Sequence, residues 1–112
     1  MTYEGEYCAG KREGKGKETR QDGTYEGEYR ADKREGKGKE TSQDGHIYDG
    51  DWLQDKKQGK AKIIYKNGDT YVGEVKEGRR HGQGQMTWAA DKASYDGTWN
   101  EDDRRGEGIF TK

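Results

Sequence analysis

Polar and apolar positions alternate along a short segment that recurs throughout the chain. In residues 3–7, Tyr-Glu-Gly-Glu-Tyr, two tyrosines and a glycine fall on one face of an extended strand and two glutamates on the other. The same pentapeptide or a close variant opens again at Tyr25, Tyr48, Tyr71 and Tyr95, at spacings of 22 to 24 residues. Glycines recur inside every segment and no 3.6-residue apolar stripe appears, so the pattern predicts strands and not helices.

A second glycine-rich segment, such as Gly14-Lys15-Gly16, follows each opening segment. We expect the two to form an antiparallel hairpin around a loop of residues 8–13. The expected pairs in the first unit are Tyr3–Glu18, Glu4–Lys17, Gly5–Gly16, Glu6–Lys15 and Tyr7–Gly14. The same register in later units places Glu28 opposite Lys37, Asp51 opposite Lys60, Trp52 opposite Gly59 and Trp99 opposite Gly106. Opposite charges then meet on one face, and rings meet glycine or apolar residues on the other.

Composition limits the core that this chain can build. Hydrophobic residues make up 25% of the 112 residues and charged residues 40%, while the formal net charge is −1 and aromatic residues reach 11%. A thick two-layer core is therefore not expected. Because the charges balance, the chain also lacks the excess of basic residues that is typical of a nucleic-acid-binding protein. We expect flat rings to cover bare glycine backbone and to tie weak hairpins into a single-layer ribbon of stacked repeats.

The repeat resembles the MORN repeat, and residues 71–84, YVGEVKEGRRHGQG, are close to the family pattern throughout, apart from Val75 at a usual aromatic position. The units are expected at 3–24, 25–47, 48–70, 71–94 and 95–112, as one domain. The resemblance implies an all-β, elongated, single-layer antiparallel sheet with a concave aromatic groove. It also implies a non-catalytic module of scaffolding, cytoskeletal or ciliary assemblies that binds protein partners or phospholipid. Departures are Ala61 for glycine, the absence of histidine at positions 13, 35 and 58, and a short fifth unit.

Candidate chemistry is sparse along the chain. His46 and His81 are 35 residues apart and are expected to lie far from each other on a ribbon, so no metal site with Cys8 is predicted within one chain, although a dimer could share one. Residues 5–12 imitate a phosphate-binding loop, but Arg12 stands where the loop needs Ser or Thr. We therefore predict no catalytic residue, no metal and no cofactor.

The aromatic face is expected to form a partner-binding groove. Its C-terminal half is apolar, whereas units one and two carry Glu18, Arg20, Glu40 and Ser42 at the corresponding places. An amphipathic helix or an extended peptide would suit the apolar half, and basic residues of the same partner could meet the glutamates. The predicted groove residues are Tyr29, Trp52, Tyr65, Met86, Trp88, Trp99, Phe110, Glu18 and Glu40.

Basic dipeptides recur at the same hairpin turn and form a candidate lipid-binding edge. The residues are Lys11, Arg12, Lys33, Arg34, Lys56, Lys57, Arg79 and Arg80, with Arg104 and Arg105 in the last unit. Such a line could meet anionic headgroups. The alternative is a solvated edge that keeps the sheet from aggregating.

The sequence therefore predicts a non-enzymatic interaction or scaffold module that presents an aromatic groove to a protein partner. Alternatives are peripheral binding to anionic phospholipid and an accessory segment of a larger lipid kinase or methyltransferase. The expected location is cytoplasmic, associated with the cytoskeleton or a membrane, because no apolar run is long enough for a signal peptide or a membrane span. Open sheet edges also suggest a homodimer or end-to-end association.

Overall fold

A computed structural model describes residues 2–112, with the backbone alone at position 107, as one antiparallel sheet. Strand order follows chain order from β1 to β10, so the predicted all-β single-layer architecture is confirmed. The sheet is elongated, with extents of 51 × 24 × 16 Å. Over residues 2–112, no helix is long and apolar enough to cross a membrane. The strands are β1 (Thr2–Cys8), β2 (Lys11–Arg20), β3 (Gly23–Arg30), β4 (Lys33–Ser42), β5 (Ile47–Leu53), β6 (Lys56–Ile64), β7 (Thr70–Lys76), β8 (Arg79–Thr87), β9 (Ser94–Asn100) and β10 (Asp103–Thr111).

Two-residue turns connect the strands of each hairpin. In the turn between β3 and β4, Ala31 and Asp32 both have positive φ, at 48° and 74°. Positive φ at both central residues is the geometry of a type I′ turn, which matches the twist of the flanking strands. The expected loop of residues 8–13 is therefore wrong, since Lys11 already begins β2.

A bulge in every hairpin divides its register into two halves. The pairs Tyr3–Glu18, Glu4–Lys17 and Gly5–Gly16 form as predicted, but beyond the bulge Tyr7 pairs with Arg12. In the outer half of the hairpin, between the bulge and the turn, the expected pairs do not form, because the tight turn shifts the second strand. The pairs that were wrongly predicted are Glu6–Lys15, Tyr7–Gly14, Glu28–Lys37, Asp51–Lys60, Trp52–Gly59 and Trp99–Gly106. The next hairpin makes equivalent pairs instead, namely Gly14–Tyr29, Gly36–Trp52, Gly59–Val75 and Gly82–Trp99.

An acidic side chain satisfies the backbone at four of the five bulges. Glu6 Oε2 accepts a hydrogen bond from the Lys15 N–H at 2.9 Å, and Asp51 Oδ2 accepts one from the Lys60 N–H at 3.0 Å. Glu28 and Glu74 do the same in their own units. These carboxylates therefore cap irregular backbone, as buried or crowded N–H groups require.

The two faces of the sheet differ in chemistry. The ring face holds the core, and Tyr25 and Tyr71 are 2% and 0% exposed. A Cβ at Gly38 would overlap the Tyr25 ring, and one at Gly84 would overlap the Tyr71 ring, which confirms that rings cover bare glycine backbone. On the opposite face, acids and lysines alternate from strand to strand between β1 and β6, as in the pairs Glu4–Lys17, Glu26–Lys39 and Asp49–Lys62.

Candidate partner-binding surface

Where the opening segment of a unit carries two aromatic rings, such as Tyr48 and Trp52, the second ring packs on the first ring of the preceding unit. Trp52 meets Tyr25 edge-to-face with centroids 5.1 Å apart, and Trp99 meets Tyr71 at 5.5 Å. The indole N–H of Trp52 donates to the Gly38 carbonyl at 3.0 Å, and that of Trp99 donates to the Gly84 carbonyl at 3.0 Å. These rings are the joints between hairpins.

Four residues of the predicted groove are therefore core residues. Tyr29, Trp52, Met86 and Trp99 are each at most 4% exposed. A partner cannot contact a side chain that the chain itself covers, so their place in the groove is corrected to a packing role. The sequence could not separate these rings from accessible ones, because both lie on the same face.

Three rings of the predicted groove stay accessible at the C-terminal half of the ring face. Tyr65 and Trp88 are half-buried, and Phe110 is 56% exposed. We call Tyr65, Trp88 and Phe110 the exposed ring cluster. Trp88 and Phe110 lie 6.0 Å apart between centroids. A groove of about 570 Å³ runs beside Tyr65 and Trp88, with Met86 and Arg80 in its wall.

Glu18 is buried and engaged within the chain. It is 2% exposed, accepts a hydrogen bond from the Tyr29 hydroxyl at 2.9 Å, and is bound by Arg20 at 2.8 and 3.1 Å and by Arg12 at 3.5 Å. The Arg20 hydrogen bond holds the pKa of the Glu18 carboxyl below its usual range, with further help from Tyr29. The expectation that Glu18 meets a basic partner residue is corrected, because its oxygens are already occupied.

Glu40 takes the same position one unit later and is less enclosed. Its side chain is 25% exposed, and its carboxylate meets Lys57 at 2.7 Å and Arg34 at 3.4 Å. It therefore neutralises two cations of the ring face.

An arginine of one unit binds the turn aspartate of the next unit, and we call this contact the clasp. Arg34 donates to Asp55 Oδ1 from its backbone N–H at 2.8 Å and from Nε at 3.1 Å, and its guanidinium lies 4.7 Å from the Trp52 ring. Arg12–Asp32 and Arg80–Asp102 repeat this arrangement. Each clasp joins a guanidinium, a ring and a turn carboxylate, so it fixes the spacing of neighbouring hairpins.

The clasp is missing at the junction between units three and four. Lys57 stands in place of arginine and Gly78 in place of aspartate, and only the backbone bond from the Gly78 N–H to the Lys57 carbonyl remains, at 3.0 Å. Val75 also replaces the second ring there. This junction therefore lacks the guanidinium, the ring and the turn carboxylate of the other three, although Lys56 and Glu77 approach to 3.9 Å and the Arg80 guanidinium lies 5.9 Å from the Tyr65 ring.

The candidate lipid edge divides into two sets. The second residue of each basic dipeptide, Arg12, Arg34, Lys57 or Arg80, is half-buried on the ring face. The first residue is exposed in every case, namely Lys11, Lys33, Lys56 and Arg79. The exposed set is the one that solvent or a ligand can reach.

The turn aspartates hold neighbouring units together, a role that was not predicted from the sequence. Asp32, Asp55 and Asp102 each follow the second ring of their unit by three residues, and an arginine stands one unit earlier. That shared spacing of ring, turn aspartate and preceding arginine was the available signal. Its meaning depended on the tight turn, which has no Asn-Gly or Asp-Gly dipeptide to mark it.

The hairpin repeat and its clasps can be compared with known families. The model of the MORN repeat matches residues 3–24, 25–47, 48–70, 71–90 and 95–112. The chain belongs to the MORN repeat family. Each MORN match begins on or beside the first strand of a hairpin, and the fourth ends at 90 where the sequence analysis expected 94. No curated protein is significantly similar to this MORN chain. MORN repeats are commonly protein- or membrane-binding modules and are generally non-enzymatic.

Proposed function

We propose that this MORN array is a non-enzymatic interaction module that binds a segment of a protein partner at its exposed ring cluster. The observation that carries the proposal is the groove of about 570 Å³ beside Tyr65 and Trp88, two rings that the neighbouring hairpins leave half-buried. Accessible aromatic surface of this kind usually marks a contact.

Charge around the cluster supports a protein ligand of mixed character. Arg104 lies 5.6 Å above the Trp88 ring and 5.7 Å above the Tyr95 ring. A guanidinium stacked on rings offers both an apolar platform and donors for a carboxylate. A partner segment with an apolar residue beside an acidic one fits this surface.

The test is affinity capture from a cell extract, followed by identification of the bound proteins by mass spectrometry. Trp88→Ala and Phe110→Ser should each lose a protein that the wild-type chain captures. Leu53→Ser is the matched control, because Leu53 is 47% exposed and belongs to a different hairpin. Capture that is equal for all four proteins contradicts the proposal. Trp99 is left unchanged because its replacement would damage the core.

A second candidate, peripheral membrane binding, rests on the exposed cations of the turns. Lys11, Lys33, Lys56 and Arg79 occupy the same position in four successive hairpins. Near an acidic membrane each cation contributes about 1 kcal/mol. Flotation with vesicles of phosphatidylserine and phosphatidylcholine across a salt series tests it. Absence of binding at low salt ends this candidate.

A further inference from the structure

The junction between units three and four carries a groove where the other junctions carry a turn carboxylate. Gly78 occupies the turn position that Asp32, Asp55 and Asp102 hold in other hairpins. A groove of about 510 Å³ lies beside Gly78, with Lys57 in its wall. The junction lies inside the array, since β6 and β7 each pair with a strand on both sides.

The three clasps of the same chain show which group belongs at this position. In each clasp, one carboxylate oxygen of the turn aspartate accepts a hydrogen bond from the backbone N–H of the preceding unit's arginine, at 3.0 Å for Arg12, 2.8 Å for Arg34 and 2.9 Å for Arg80. The same oxygen also accepts from the arginine side chain. A carboxylate therefore satisfies a backbone donor and a cation together.

The backbone N–H of Lys57 is the corresponding donor at the groove. The N–H and C=O of one strand residue point to the same side, and the Lys57 carbonyl accepts from the Gly78 N–H at 3.0 Å. The Lys57 N–H therefore also faces Gly78, as the Arg34 N–H faces Asp55. Glycine has no side-chain acceptor, and no other group within residues 2–112 accepts a hydrogen bond from this N–H.

The Lys57 ammonium has capacity for a second carboxylate. It meets Glu40 at 2.7 Å, the one carboxylate among the described side chains that lies within 4.0 Å of it. Arg12 and Arg34, at the equivalent position, each meet two carboxylates, such as Asp55 at 3.1 Å and Glu40 at 3.4 Å for Arg34. Because an ammonium offers three donors, Lys57 can hold Glu40 and an added carboxylate together.

Space and charge at the groove favour a carboxylate as the added group. A Cβ at Gly78 would contact only the stem of the Lys57 side chain, at 3.9 Å, so an entering side chain has room above the turn. Three acidic residues also line the groove, namely Glu40, Asp55 and Glu77. They repel a doubly charged phosphate more strongly than a singly charged carboxylate.

We propose that the groove between Lys57 and Gly78 binds an aspartate or glutamate side chain of a protein partner. One oxygen of that carboxylate accepts hydrogen bonds from the Lys57 backbone N–H and ammonium, in the way that Asp55 accepts from Arg34. The inference rests on the proposed function and adds a second contact with the same partner. The bound side chain completes the missing clasp and so stabilises the junction between units three and four.

Gly78→Asp tests the site with a carboxylate that the chain itself holds in place. Aspartate tolerates the φ of 80° at this position, as Asp32 does at 74°. Gly78→Asn is the matched control, because asparagine has the same size and an oxygen but no charge. We expect the Lys57 amide proton, followed by NMR, to exchange about tenfold more slowly in Gly78→Asp than in Gly78→Asn. Equal exchange of this proton in the two variants overturns the proposal.

A titration of the wild-type chain with N-acetyl-aspartate N-methylamide, at constant ionic strength, tests binding from solution. We expect a saturable shift of the Lys57 amide resonance with a Kd on the order of 10 mM. The uncharged asparagine derivative should leave the resonance in place, and Gly78→Asp should lose the response because its own carboxylate fills the groove. No shift up to about 100 mM probe overturns the proposal. Tighter binding of inorganic phosphate at the same amide assigns the site to a phosphate and also overturns it.

The capture experiment tests whether the carboxylate comes from the partner. Gly78→Asp should weaken capture of the protein that Trp88→Ala loses, and Gly78→Asn should not. If the probe binds while Gly78→Asp leaves capture unchanged, the site takes a free carboxylate and the assignment to a partner is wrong. If the probe fails while Trp88→Ala still loses a protein, the carboxylate site is wrong and the proposed function stands. Capture that ignores Trp88 and Phe110 contradicts the proposed function whatever the probe does.

Discussion

Arg80 and Asp102 exchange four hydrogen bonds between two successive turns. Arg80 donates to Asp102 Oδ1 from its backbone N–H at 2.9 Å and from Nε at 3.1 Å, and to the Asp102 carbonyl from Nη2 at 3.0 Å. The Asp102 N–H donates to the Arg80 carbonyl at 3.0 Å. One side chain thereby stabilises both the turn that contains it and the junction between units four and five.

Removing this carboxylate should weaken the array. Asp102 has a φ of 73°, so Asp102→Ala removes the acceptor and also places alanine in the left-handed region. We expect a loss of about 1–2 kcal/mol in the free energy of unfolding, and about half of that for Asp102→Asn, which tolerates this φ and keeps an oxygen. Urea denaturation followed by tryptophan fluorescence measures it. Asp103→Ala is the control, and an equal loss there contradicts the role of the clasp.

The glycine under Tyr71 should tolerate a methyl group better than a branched side chain. Gly84 lies beneath the Tyr71 ring, which is 0% exposed. The same row already holds Ala61 in unit three. We therefore expect Gly84→Val to cost about 3 kcal/mol by displacing the ring, and Gly84→Ala to cost less. Thermal unfolding of both variants measures the order, and equal stability of wild type and Gly84→Val contradicts the packing described.

The free energy of unfolding should depend on pH through the ionisation of the Glu18 carboxyl. Its pKa is lowered in the folded chain, so the carboxylate stabilises the fold above the ordinary value of about 4.5, and this contribution is lost as the pH falls through the folded value. We expect Glu18→Gln to cost about 2 kcal/mol at pH 7 and much less near pH 3. Chemical denaturation at the two values measures the difference. Glu26→Gln, an exposed glutamate on the opposite face, should show little loss at either.

Two tryptophans predicted for the groove should behave differently on truncation. Trp99 is 3% exposed and joins two hairpins, so Trp99→Ala should cost about 3–5 kcal/mol. Trp88 is half-buried in the exposed ring cluster, and Trp88→Ala should cost clearly less. Guanidinium denaturation of both variants measures this contrast. Equal losses would contradict the division between joint rings and accessible rings.

The sequence predicted the inner half of each hairpin because its signal is local. Strict alternation sets Tyr3 opposite Glu18 and Gly5 opposite Gly16 once the segments are assumed to pair. The predicted pairing of the outer half was wrong because it depends on positive φ at residues such as Ala31 and Gln54, which are not typical turn residues. The partner surface was only partly predicted for a related reason. Periodicity assigns Trp88 and Trp99 to one face, but burial depends on which ring the next hairpin covers.

The sequential strand order determines how the sheet unfolds. Over residues 2–112 every strand forms its hydrogen-bonded ladder only with its neighbours in the chain, so separating one pair of strands divides the sheet into two blocks. The link between β6 and β7 lacks the arginine, the aspartate and the second ring together. Residues 2–64 and 70–111 should therefore melt as two blocks, with amide protons of β6 and β7 exchanging before those of β4 and β8.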